Sequence, residues 1–156
     1  MRLSRTVSTC LVVGGLTALV VAGLAAAQSK VGSGDVIADR QRLMKLNAAS
    51  LRDINEKAKA GNIEAIQVNA ETLALNSMHI PTLFPEGSLS DKSNAKPEIW
   101  QRRAEFESAA QNLGAWAAKL RDTAKTKDAD ATQAIVKDFG RETCGRCHTP
   151  FRKPLS

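Results

Sequence analysis

The run PEIWQRRAEFESAAQNLGAWAAKL, Pro97 to Leu120, decides the fold. Its apolar residues fall at Ile99, Phe106, Ala110, Leu113, Ala117 and Leu120, in steps of seven, four, three, four and three. That spacing is one seam of a helix packed in a bundle. Pro97 is preorganised for a first helical position and marks the start.

Working outward, the flanking segments carry the same signal. Asp35 is a candidate N-cap, and Val36, Leu43, Met44, Leu51, Ile54 and Ala58 form an apolar stripe to about Ala60. Gly61 stops this helix and Asn62 is placed to cap the next, which carries Ile63, Ile66, Ala70, Leu73 and Ala74 and ends before Pro81. Residues 79–96 hold Pro81, Pro85, Gly87 and a polar run, and read as the longest irregular connection. A last helix begins near Asp128 and runs through Ile135 and Phe139, with Pro150 opposing continuation past Thr149. The first and last connections are short, so each joins antiparallel neighbours. The expected fold is all-α, an antiparallel up-down-up-down four-helix bundle.

Residues 1–27 read as a signal peptide. Arg2 and Arg5 precede an apolar stretch from Leu11 to Leu24, and Ala25-Ala26-Ala27 offers a cleavage site. The stretch is shorter than the ~20 residues of a membrane-spanning helix. The mature chain is then a single domain, 28–156, exported to the bacterial periplasm, without Cys10 and without a membrane span. Losing Arg2 and Arg5 takes the formal net charge from +6 to +4. The remaining charges are interspersed, and no tyrosine or aromatic-basic cluster accompanies them, so a nucleic-acid footprint is not expected. The basicity can bias docking toward an acidic redox partner.

Cys144-Gly145-Arg146-Cys147-His148 carries the chemistry. Cys-x-x-Cys-His is the attachment pattern for c-type haem. Two thiols spaced for the two vinyl groups form thioethers, and the adjacent imidazole is the proximal iron ligand. Two rival readings stand beside it: a zinc site with His148 as third ligand, and a disulfide module. Cys10 and His79 are the only other residues of those types. On periodicity alone Met44 reads as core filler rather than as a ligand. Met78 and His79, at a helix end, are weaker ligand candidates, and Trp116 is expected to be peripheral. No nucleophile-base pair, phosphate loop or carboxylate pair points to an enzyme.

The whole mature chain resembles the class II c-type cytochromes, the cytochrome c′ and cytochrome c-556 group. The resemblance lies in Arg40-Gln41-x-x-Met44-Lys45, Phe84-Pro85-Glu86-Gly87-Ser88, Lys96-Pro97-Glu98-Ile99-Trp100 and Cys144-x-x-Cys147-His148-x-x-Phe151-Arg152. It implies one covalent haem c near the C-terminal helix, bound by Cys144 and Cys147, with His148 on the iron. In this family the residue four after the first-helix Arg faces the iron. An apolar side chain there leaves a five-coordinate iron that binds NO or CO, whereas a Met ligates it. Met44 holds that position, which implies a His/Met haem and single-electron transfer, with NO or CO binding as the alternative. The resemblance also implies that Arg40 meets a haem propionate, that Arg152 lines the haem surroundings and that Trp100 packs near the haem. Redox proteins are the implied partners, and the protein is a monomer or a homodimer through its first two helices.

Overall fold

A computed structural model describes residues 34–154. The proposed export segment and Cys10 lie outside them. Helix α1 spans Val36–Lys59, α2 Ile66–His79, α3 Glu98–Gln101, α4 Arg103–Lys125, α5 Ala129–Gly140 and α6 Arg146–Phe151. A π turn, Arg141–Gly145, joins the last two. Helix α1 packs on α2, α2 on α4, α4 on α5, and α5 back on α1. That cycle closes the expected four-helix bundle.

The helix ends follow local chemistry. The Asp35 carboxylate accepts from the amides of Ile37 and Ala38, and Asp128 accepts from Ala131. Gly61, at φ 71°, terminates α1 in the left-handed conformation, and the Asn62 amide reaches back to the Lys57 carbonyl at 2.9 Å. Asn62 does not cap α2. Residues 62–65 form a turn, and Ile63 is buried from that turn. Its three-residue spacing from Ile66 imitates a helical step without being one.

The third helix is interrupted. Arg102, at φ −121° and ψ 49°, separates α3 from α4, and its side chain is held by Glu105. The seam is intact across the break, since Ile99, Phe106, Ala110, Leu113, Ala117 and Leu120 are all buried. Helices α2 and α4 meet closely at Gly114, where an added Cβ would lie 2.6 Å from Ser77 Oγ. Trp116 is half-buried and packs edge-on to the fully buried Phe139, with ring centroids 6.4 Å apart. It belongs to the α4–α5 contact, packed against the edge of the core. Helix α6 also runs beyond the expected stop, carrying Pro150 inside its last turn to Phe151.

Candidate haem site

The Cys-x-x-Cys-His segment begins in the π turn and ends in α6. The buried residues Phe139, Thr143 and Phe151 and the half-buried Cys147 recur in four-residue steps. On a regular α-helix each such step drifts by about 40°, so Phe151 would stand about 120° from Phe139. A π turn is wider and takes up part of that drift, a device frequent at functional sites. Asn112 of α4 fixes it, donating from Nδ2 to the Glu142 carbonyl at 2.7 Å. Thr143 Oγ1 donates to the Phe139 carbonyl at 2.6 Å. This wide turn gives no periodic signal in the sequence, and the uninterrupted last helix expected above is corrected to α5, π turn and α6.

Two adjoining cavities lie beside this segment, of about 240 Å³ and about 200 Å³. Met44, Cys147 and His148 line both. Arg40 and Arg152 line the first and Cys144 the second. The structure therefore brings all six candidate residues to one connected region between α1, α4 and α6. Met78 is 71% exposed on a shallow groove between α2 and α4, and His79 is exposed at the end of α2; neither lines these cavities. Trp100 stands outside the cavity wall, tilted against Phe84, with Nε1 donating to the Pro85 carbonyl at 2.9 Å.

Several wall residues escaped the sequence reading. Phe84, Phe106 and Phe151 form a linked edge-on set, with centroids 4.9 Å and 5.4 Å apart, along the first cavity. Phe84 comes from the connection after α2, which is not loose. Arg103 donates to the carbonyls of Phe84 and Pro81 at 2.8 and 2.9 Å. The same connection supplies Ser93, Asn94 and Ala95 to the wall. It is clasped to the C-terminal segment by Lys96 N–H donating to the Phe151 carbonyl at 3.0 Å and Lys153 N–H donating to the Asn94 carbonyl at 2.8 Å. In the second cavity Asn47 is buried and accepts from Asn76 Nδ2 at 2.8 Å.

The electrostatics suit an anionic, iron-bearing group. Arg40 is 3% exposed. One Nη donates to the Ser88 carbonyl, while Nε and the other Nη are buried without an acceptor. Burial lowers its pKa, opposed by the charge of Asp35, and two buried guanidinium nitrogens still need an acceptor. A propionate carboxylate satisfies that need. Burial, and secondarily Arg152, lowers the proton affinity of His148, favouring the neutral imidazole that binds iron. Cys144 and Cys147 are free thiols, and burial, aided by Cys144, pushes the Cys147 thiol up to about 11. Among the described residues no group of three His, Cys, Asp or Glu is placed to hold a metal ion, and a structural zinc wants four such ligands. The residues present fit haem.

Comparison with known proteins gives the same answer. The family described as Cytochrome C' matches residues 35–152. The chain is 33% identical over 116 residues to cytochrome c-556 of Agrobacterium tumefaciens (strain II Chrys), covering 72% of this chain and 93% of that protein. It is 32% identical over 145 residues to cytochrome c-554 of Cereibacter sphaeroides, covering 88% and 94% respectively. Among solved structures, a nitric oxide complex of a cytochrome c prime variant from Alcaligenes xylosoxidans superposes with a TM-score of 0.69 at 27% identity, covering 78% of this chain and 96% of that one.

Proposed function

The chain belongs to the cytochrome c′ family of haem c proteins, and within it we propose a periplasmic single-electron carrier whose iron is held between His148 and Met44. The observation that carries this reading is that Met44, from α1, and His148, from α6, line the same two cavities. When bound, the haem supplies the ferric/ferrous couple. His148 offers a neutral imidazole and Met44 a thioether, a pair that favours the ferrous state and raises the potential. Cys144 and Cys147 tether the group, Arg40 neutralises a propionate, and Phe84, Phe106 and Phe151 exclude water from one side. Residues 1–27 act as the export signal and 28–156 as the working domain.

Binding of NO or CO is the second reading, favoured by the nitric oxide complex of the structural relative. Visible spectra of the holoprotein, with and without CO, decide between them. A low-spin ferric form with slow or weak CO uptake by the ferrous form supports electron transfer. A high-spin ferric form with immediate CO uptake overturns Met44 ligation and makes gas binding the function.

A further inference from the structure

Arg40, Met44 and Asn47 stand at steps of four and three along α1, so they share one stripe of the helix. The two cavities divide that stripe. Arg40 lines the first, Met44 lines both, and Asn47 lines the second. Asn47 is 7% exposed, although asparagine is a poor helix former and its amide is unfavourable to bury without partners. One end of the amide has a partner, since Oδ1 accepts from Asn76 Nδ2 of α2 at 2.8 Å. The other end, Asn47 Nδ2, donates to none of the described residues. The rest of this wall is apolar or already committed. Leu51, Leu73, Ile80 and Leu113 are its largest hydrocarbon side chains, and Thr143 Oγ1 donates to the Phe139 carbonyl. Cys144, Cys147 and His148 are assigned to the haem. Asn47 therefore brings an uncommitted N–H to an otherwise apolar cavity that it shares with Met44 and His148.

We propose that Asn47 is the hydrogen-bond donor to the sixth ligand of the haem iron, with Asn76 occupying its carbonyl oxygen so that the N–H end faces the ligand. The proposal rests on haem occupying the two cavities, not on Met44 being the ligand. Asn47 follows Met44 by three residues, about 4.5 Å along the helix axis and about 60° around it. Both residues therefore stand on the same side of a group tethered from α6. The N–H end is the positive end of the amide dipole, and in a buried site it favours a ligand that carries electron density on its outer atom. An anionic ligand gains most and neutral CO least. With a thioether on the iron, the same donor draws density from the sulfur and disfavours the ferric state. Asn47 thus selects ligands by charge at a position where hydrocarbon would select by size alone.

The test uses holoprotein carrying Met44→Ala, which opens the sixth position, with cyanide and CO as probes. Adding Asn47→Leu is expected to weaken cyanide binding to the ferric iron about tenfold, the effect of one hydrogen bond to a charged group. CO affinity of the ferrous iron changes by less than about threefold. The C–O stretching frequency rises, because no dipole then draws density toward the CO oxygen. Asn76→Ala breaks the same bond between α1 and α2 and also lowers the thermal midpoint. It leaves Asn47 able to turn its N–H toward cyanide, so the affinity stays within about twofold. Asn47→Ala repeats the result of Asn47→Leu without added bulk. Equal losses of cyanide affinity in the Asn47 and Asn76 variants would assign the amide to joining the helices and overturn the donor. Unchanged affinity and C–O frequency in both Asn47 variants would overturn it as well. A five-coordinate wild-type iron would defeat Met44 ligation, yet the same cyanide comparison, made without Met44→Ala, would still read Asn47.

Discussion

The Arg40 guanidinium carbon lies 4.6 Å from the centroid of the Phe84 ring, within cation–π range. This contact fixes a buried positive charge on the cavity wall while leaving two of its nitrogens without acceptors. The ring holds the charge in place without neutralising it.

Replacing that charge therefore changes the redox equilibrium. A cation beside the haem disfavours the ferric state, so Arg40→Leu is expected to lower the midpoint potential. Losing about 1 kcal/mol of differential interaction corresponds to about 40 mV for one electron. Protein-film voltammetry reads the shift, and far-ultraviolet circular dichroism checks that the helices persist. A potential unchanged across pH rules out contact with the propionate.

Met44→Ala is expected to leave the iron five-coordinate or water-ligated, with a high-spin ferric spectrum and ready CO uptake. Met78→Ala, on the exposed groove, should alter neither. Loss of the long-wavelength sulfur-to-iron band only in the first variant identifies the ligand. If both variants keep the wild-type spectrum, the thioether assignment is lost.

Cys144 and Cys147 are expected to hold the haem covalently. Acid-acetone extraction should leave the colour with the wild-type polypeptide. Cys144→Ala/Cys147→Ala should release it to the solvent. Free haem from the wild type would contradict thioether attachment.

The α2–α4 contact predicts a stability effect of its own. At Gly114 a Cβ meets Ser77 Oγ, so Gly114→Val forces the two helices apart. Overpacking of this kind is expected to destabilise by about 1–3 kcal/mol, read as a lower thermal midpoint. Adding Ser77→Ala should recover part of the loss. Full stability in the single variant would mean that the helices separate freely here.

Acid should erode stability through surface ion pairs. Lys57 and Asn69 hold the Asp53 carboxyl below its ordinary value, Arg102 does so for Glu105, and Arg121 for Asp122. Because their native proton affinities are depressed, their contribution is complete above about pH 4 and fades as pH falls through the lowered native values. Melting curves between about pH 5 and pH 2 should show a shallower acid loss in Asp53→Asn/Asp122→Asn than in wild type. Salt should flatten the difference, since all three groups are exposed.

The bundle was legible because its seam repeats. Ile99 to Leu120 keeps its phase even across the break at Arg102, and the thiol-imidazole pattern is local by nature. Met44 and Arg40 required the family resemblance, since periodicity treats a ligand and a core methionine alike. What stayed hidden depends on groups distant in sequence. The π turn is tied down by Asn112, and the connection between α2 and α3 by Arg103, Trp100 and Arg40 donating to carbonyls. A carbonyl has no side-chain identity, so no pattern of residue types announces that it will be used. Ile63 misled for the opposite reason: its spacing is helical but its backbone is not.

The clasp between Asn94–Lys96 and Phe151–Lys153 is made by main-chain atoms. Substitution at Lys96 or Lys153 therefore leaves the clasp in place, provided proline is avoided where an amide is needed. On either functional reading, the exposed side chains of these two segments can be rewritten while the main chain keeps the wall of the site in place.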